Sequence, residues 1–315
     1  MAVFTPVREA EAQAFLKAWP ISEVIEFTPI AEGVQNTNFR VRTRYKSYVL
    51  TLFEGREEQA GLPYCLGLMQ HLGAAGFATP SPVADLDGRL QGELKQRPAA
   101  LVEWADGAWK KRPSEADFHL AGATLADMHL KARGYGQTRD NPVGPRRWRE
   151  LAERSAERAQ GTDADMLDQI ERLMPELEKL FDPQLLPQGA IHADYFPDNV
   201  LFDGDRIGGV IDFYFGCTGA LAYDLAIALS AWGFDAQGNP DEVAFSAFRH
   251  GYESVRPLSE LEAKLLPLLG QASVVRFTLT RLHDRLFHDP AHFVTPKDPA
   301  PFWNRMNWWK SPVTA

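Results

Sequence analysis

A chain of 315 residues, 45% of them apolar, is long enough to bury a sizeable core, as one large domain or two modest lobes. Lysine and arginine number 33 against 42 aspartates and glutamates, a formal charge of −9, and no basic block marks a nucleic-acid or anionic-membrane partner. No run of about 18 uncharged apolar residues is present to span a bilayer. Residues 1–6 lack the basic-then-apolar pattern of a secretory leader. The two cysteines, Cys65 and Cys217, have no metal-type spacing, so the chain reads as a cytoplasmic globular protein with reduced thiols. Its oligomeric state is left open.

In chain order, the first hundred residues are rich in strand signals. Residues 24–30 carry β-branched side chains, and 38–44 alternate Phe39 and Val41 against Arg40 and Arg42. Residues 48–53 resume after a polar break at 45–47, which predicts a hairpin. A helix over 62–75 places Leu62, Leu66, Met69 and Leu72 on one face and ends at Gly76 and Pro80. Asp87-Gly88 signals a turn between extended segments, the second leading into 99–104. Beyond Gly107 the pattern turns helical. Ser114 and Asp117 resemble a capping box, opening a helix to about Lys131 that buries Phe118, Ala121, Leu125 and Met128. A Gly-, Pro-, Arg- and Asn-rich loop covers 134–147, and helices return at 148–159 and 163–181. Residues 188–219 form a Gly- and Asp-rich interruption with strands at 199–202 and 207–212. Helices then run from 221 to about 288, before an aromatic, Pro-rich tail. The expected class is α+β, with a strand-rich lobe over 1–104 and a helical lobe over 105–315.

The chemistry concentrates in His192-Ala193-Asp194-Tyr195-Phe196-Pro197-Asp198-Asn199, followed by Asp212. Phosphoryl transfer needs a carboxylate to orient the acceptor hydroxyl and oxygen ligands for magnesium on the phosphates. An Asp and an Asn on one loop, followed by strand, tight turn and strand ending in Asp212, can bring those groups to one end of a small ladder. This order of residues resembles the catalytic and metal-binding loops of the protein-kinase-like fold, in the aminoglycoside-phosphotransferase branch of small-molecule kinases. There the pattern is His-x-Asp-x-x-x-x-Asn, then Ile-Asp at a strand end. Ala222-Tyr223-Asp224-Leu225-Ala226 also matches that branch. The resemblance implies a two-lobed kinase-like fold, ATP and Mg2+, Asp194 as the catalytic carboxylate, and Asn199 and Asp212 as metal ligands. His192 and Asp224 would support the loop, Asp224 by accepting its backbone amides.

On the nucleotide side the equivalent of a Gly-rich phosphate loop is 32–39, with the single glycine Gly33. Asn36 and Asn38 are read either as amide donors to phosphate or as turn formers. Aligning residues 48–51 with the Val-Ala-Ile-Lys of kinases places Thr51 where the lysine stands. The missing cation is then absent or supplied by Arg40, Arg42 or Lys46; Glu57 or Glu58 would otherwise have marked its ion-pair helix. Residues 101–104 form the expected connection between lobes, where the backbone of Glu103 and Trp104 reads adenine, or Trp104 simply packs.

Nearly the whole chain is similar to the homoserine kinases of this branch, which act in threonine biosynthesis. The matching stretches are 1–7, 30–38, 49–52, 66–69, 192–200, 211–215 and 276–282, and Thr51 in place of lysine belongs to that pattern. Gly219 and Ser230 depart from it, where Asp and Asn are expected. The resemblance implies phosphorylation of L-homoserine on its hydroxyl. Arg281 or Arg276 would bind the substrate carboxylate, and Tyr195, Asp198 and Tyr214 would frame its ammonium. Choline, ethanolamine, methylthioribose and aminoglycoside kinases share the same motifs; for a quaternary amine, Trp303, Trp308 and Trp309 would supply an aromatic cage. A catalytically weak nucleotide-binding module is the reading from another class, suggested by Thr51 alone.

Overall fold

Strand alternation in the first hundred positions resolves into one antiparallel sheet. The computed structural model describes residues 5–30, 36–288 and 295–311. Helix α1 (Glu9–Leu16) precedes β1 (Val24–Pro29), β2 (Thr37–Thr43) and β3 (Ser47–Leu52); α2 (Arg56–Ala74) follows, then β4 (Gly92–Leu94) and β5 (Arg97–Glu103). The strand order is β1-β2-β3-β5-β4. β2 and β3 form the expected hairpin, with Asn38 opposite Thr51 and Arg40 opposite Val49. Residues directly across a ladder share a face, so the sheet has two distinct sides. Phe39, Val41, Tyr48, Leu50 and Leu101 pack with Ala12, Leu16 and Trp19 of the α1 region. Asn38, Arg40, Val49, Thr51, Ala100 and Val102 lie on the other side, where Ala100 and Val102 join the core shared with α2.

Two local features differ from expectation. Helix α2 starts at Arg56, with Pro63 inside it. The polar opening at 56–59 and the proline both disguise a helix whose face, Leu62, Leu66, Met69 and Leu72, is buried as predicted. Lys95 and Gln96 form a two-residue turn between β4 and β5 with φ of 56° and 59°. That conformation normally calls for Asn or Gly, and no such signal exists here.

The remainder contains α3 (Glu115–Lys131), α4 (Pro145–Ala156), α5 (Thr162–Leu177), β6 (Gln188–Ile191), β7 (Val200–Asp203), β8 (Arg206–Val210) and β9 (Cys217–Ala220), then α6 (Leu221–Trp232), α7 (Glu242–Val255), α8 (Glu260–Leu286), α9 (Ala300–Trp303) and α10 (Met306–Lys310). The capping box of α3 is present: Asp117 N donates to Ser114 Oγ at 3.3 Å and Ser114 N to Asp117 Oδ2 at 2.8 Å. The β7–β8 hairpin was expected; the β6–β9 pair was not, because Gln188-Gly189-Ala190-Ile191 and Cys217-Thr218-Gly219-Ala220 carry little β propensity. Helices α3 and α7 meet almost backbone to backbone. A Cβ on Gly122 would stand 2.0 Å from the Phe248 carbonyl oxygen, and one on Gly251 1.9 Å from that of His119. This close crossing brings His129 of α3 to Tyr252 of α7. The tail folds onto α8, with the Trp309 ring seated against Gly270. Cys65 and Cys217 are both buried and form no disulfide. Among the described residues no helix is long and apolar enough to cross a membrane.

Candidate active site

Asp194 stands on the loop leaving β6. Ala193, just before it, has φ +61°, a left-handed conformation that an alanine holds only when its surroundings fix both flanking peptides. Here they do. His192 N donates to Asp224 Oδ2 at 2.8 Å and Ala193 N to Asp224 Oδ1 at 2.7 Å. The Arg276 guanidinium donates to the Ala193 carbonyl. Asp224, in the first turn of α6, is in turn bonded by His129 Nε2 at 3.0 Å. Behind it the chain continues: His129 Nδ1 to Tyr252 Oη at 2.8 Å, Arg256 Nη1 to Tyr252 Oη at 3.0 Å, Arg256 Nη2 to Glu262 Oε1 at 2.6 Å. All five side chains from Asp224 to Glu262 are buried. A carboxylate only accepts and an arginine only donates, so the protons are ordered: Tyr252 donates to Nδ1, and Nε2–H donates to Asp224. Burial pushes the Asp224 carboxyl up, but the hydrogen bonds from His129 and from the His192 amide outweigh it. The net result lies below the ordinary carboxylate value.

His192 joins the two halves of the site. Burial lowers its pKa and keeps the ring neutral. Its Nδ1 accepts from Asp194 N at 3.2 Å and its Nε2 donates to the Ile211 carbonyl at 3.0 Å. Ile211 N donates to the Asn199 carbonyl at 3.0 Å. Asp194, Asn199 and Asp212 are thereby brought together. Asp212 lies two residues past β8, at φ 64° and ψ 54°, and not on the strand itself. Asn199 Nδ2 donates to the Asp194 carbonyl at 2.8 Å and reaches its Oδ2 at 3.3 Å. The amide nitrogen is spent inward, which leaves Oδ1 as the atom presented outward. An amide oxygen beside a carboxylate is a donor set that suits magnesium.

Burial raises the Asp194 pKa against the opposing charges of Arg276 and Lys297, with Asp198 adding to the rise. Arg281 of α8 is half-buried in the same field. Burial lowers its pKa, while Asp194, Asp298 and Asp198 pull the other way. Its guanidinium lies 4.6 Å over the Phe302 ring, which Arg305 also contacts at 4.1 Å. Among the described residues Arg281 makes no hydrogen bond or ion pair. Asp194, Asp198 and Arg281 therefore lie within electrostatic reach of one another.

Other sequence expectations need correction. Tyr195 is fully buried, with its hydroxyl donated to the Ala121 carbonyl at 3.0 Å, and frames no substrate. Arg276 is 2% exposed and occupied by the catalytic loop, so of the two arginines Arg281 alone stays in play. The Tyr214 ring packs edge-on against Phe53 at the seam with the sheet, and its carbonyl accepts from Arg139. Trp309 is buried and donates to Ser230 Oγ, and the half-buried Trp308 packs on Phe234 and Phe245, with Trp303 also half-buried against the core, so the three do not stand as an open cage. Gly219, one of the two departures from the family pattern, packs against Ile191.

On the sheet, Thr51 Oγ1 donates to Asn38 Oδ1 at 2.7 Å and Asn36 Oδ1 accepts from Glu54 N at 3.2 Å, so Asn36 ties the chain entering β2 to the chain leaving β3. Gly33 lies outside the described residues, as do the side chains of Glu57 and Glu58. The amides of Glu103 and Trp104 are already bonded, to the carbonyls of Ser81 and Ser47, and the Glu103 side chain pairs with Lys46 at 2.6 Å. Neither amide is therefore available to a base. His129, Tyr252, Arg256 and Glu262 were not anticipated. The only trace is Ser259-x-x-Glu262, a capping-box spacing at the start of α8.

Residues 26–258 match the model of the phosphotransferase enzyme family. A homoserine kinase of Brucella canis is 43% identical over 308 residues, covering 98% of this chain and 94% of that protein. One from Chelativorans sp. (strain BNC1) is 40% identical over 315 residues, covering 100% and 98%. Among solved structures, the amicoumacin kinase hAmiN superposes with a TM-score of 0.71 at 16% identity, over 96% of this chain and 92% of that one. Choline kinase from Cryptosporidium parvum gives 0.68 at 16% identity, over 96% and 94%. These two share the fold, while the closer sequence relatives specify the group: the chain belongs to the phosphotransferase enzyme family and, within it, to the homoserine kinases.

Proposed function

We propose that the protein transfers the γ-phosphoryl group of ATP to the side-chain hydroxyl of L-homoserine, giving O-phospho-L-homoserine and ADP. The strand-rich part, residues 1–104, holds the nucleotide, and residues 105–315 carry the catalytic groups. The observation behind this reading is the grouping of Asp194, Asp198 and Arg281. Homoserine carries a hydroxyl, an ammonium and a carboxylate. Asp194 orients the hydroxyl and accepts its proton as the new P–O bond forms. Asp198, exposed beside it, attracts the ammonium. Arg281, a half-buried cation with donors to spare, receives the carboxylate in a forked geometry. Asn199 Oδ1 and Asp212 would hold magnesium, which when bound neutralises charge on the phosphates. A quaternary-amine acceptor is disfavoured, because Trp308 and Trp309 are packed in the core and the Phe302 ring is already stacked with arginine.

Coupled measurement of ADP release across homoserine, homoserine methyl ester, serine, choline and an aminoglycoside tests the reading. Homoserine is expected to be fastest. The ester loses the charge-assisted contact with Arg281, so its KM should rise about ten- to a hundredfold. Arg281→Gln should raise the KM for homoserine similarly while leaving the ester little changed. Serine, one methylene shorter, leaves its hydroxyl short of Asp194 and loses near-attack geometry. Faster turnover of choline or an aminoglycoside would overturn the assignment.

A further inference from the structure

Thr51 occupies the strand position that kinases fill with lysine, and three nearby cations are candidates to replace it. Two are engaged elsewhere: Arg42 pairs with Glu26 at 2.6 Å and Lys46 with Glu103 at 2.6 Å. Arg40 differs. Among the described residues it has no acidic partner, and its Nε is buried without a hydrogen bond. It shares the inner face of the sheet with Thr51 but stands opposite Val49, two residues along β2 from Asn38. Two strand residues span about 7 Å, so Arg40 is displaced from the level of Thr51 toward the lobe connection. Its guanidinium reaches the Trp104 ring and lies 4.6 Å from the centroid. Trp104 sits at the far end of that face, its amide bonded to the Ser47 carbonyl. The stack therefore lies at the connection end of the sheet. The turn that covers phosphates in kinases lies at the other end, before β2.

We infer that Arg40 and Trp104 together form the wall against which the base and ribose of the nucleotide rest, and that Arg40 is not a substitute for the phosphate-binding lysine. This rests on reading the chain as a nucleotide-dependent kinase and adds how the nucleotide is recognised. A guanidinium is planar and weakly hydrated and stacks well on indole. Together they offer a flat surface for a heteroaromatic base, with N–H donors at its edge for ring nitrogens or ribose oxygens.

Calorimetric binding of adenosine, AMP and ADP to the full chain, without metal, separates the two roles. Arg40→Ala is expected to weaken all three by the same factor, about five- to tenfold. Arg40→Lys, which keeps the charge and loses the plane, should resemble it. Trp104→Leu, at a half-exposed position, should cost a similar factor and serves if the Arg40 variants fold poorly. A loss that grows from adenosine to ADP, or rescue by lysine, would place Arg40 on the phosphates and overturn the inference. Unchanged affinity for all three would overturn it as well. Homoserine turnover by the unaltered protein tests the reaction separately, so failure of one reading is distinguishable from failure of the other.

Discussion

Around Asp194 the backbone is held from several directions at once: Asp224 takes two successive amides, Arg276 takes the carbonyl between them and the carboxylate, and His192 ties the loop to Ile211. On the inner face of the sheet, Thr51 and Asn38 satisfy each other and Arg40 leans on Trp104. The first region holds a left-handed alanine that would relax without its partners. The second is ordinary strand, placed by ladder register and needing no such support. Phosphoryl transfer depends on where the acceptor hydroxyl sits relative to the phosphorus, and small displacements there are expensive. The nucleotide is large and has many contacts over which to spread its recognition. Substitutions should therefore act steeply on one side of the cleft and gently on the other.

The largest effect is expected at the carboxylate itself. Asp194→Asn keeps the shape and the Asn199 contact but removes the charge proposed to orient and deprotonate the hydroxyl. Turnover should fall by about a hundred- to ten-thousandfold, with homoserine binding retained in calorimetry. Activity within a few-fold of the unaltered protein would remove Asp194 from the chemistry.

Next comes the buried support. Asp224→Ala leaves two backbone amides and the His129 Nε2 proton without an acceptor, and breaking a buried charged network costs about 3–5 kcal/mol. The pH dependence carries a sign. The Asp224 carboxyl is held below its ordinary pKa, so the stability it contributes is complete above the unfolded value, near 4, and is lost as pH falls through the lower folded value. Urea melts of the unaltered protein and Asp224→Asn should differ most at neutral pH and converge in acid. A constant gap down to low pH would contradict the network. Further back in the same chain, Tyr252→Phe removes the donor to His129 Nδ1 and the acceptor of Arg256. It should cost about 1–3 kcal/mol and leave the KM for ATP unchanged.

The same contrast governs what could be read from the sequence. The grouping of Asp194, Asn199 and Asp212 was legible because they are close in sequence and chemically distinctive, and the hairpin because alternation of Phe39 and Val41 with Arg40 and Arg42 is a local signal. The support was only half legible. Asp224 falls within a recognisable motif, but its partners His129 and Tyr252 lie on α3 and α7, and only the glycine-to-backbone crossing of those helices joins them. Tyr195 was misread for the same reason: adjacency to Asp194 suggested substrate contact, while the alternation of the loop turns its ring into the core. Arg281 and Arg276 are five positions apart on one helix, and only tertiary packing lays Arg281 over Phe302 and ties Arg276 to the loop.

The smallest effect is expected at Thr51, and it tests the gentle side of the cleft most directly. Its hydroxyl donates to Asn38 Oδ1, an interaction between neutral groups whose net contribution is about 0.5–1.5 kcal/mol. Thr51→Val keeps the volume and β propensity and removes only the hydroxyl, leaving Asn38 Oδ1 without that donor. Because the bond lies within the sheet, the loss should appear mainly in the melting curve. The KM for ATP should change by no more than the same free energy implies, under about tenfold, with kcat almost untouched. A fall of several orders of magnitude in kcat would mean that the Thr51 hydroxyl contacts the transferring phosphoryl group. The sheet would then be as tightly committed to the chemistry as the loop opposite it.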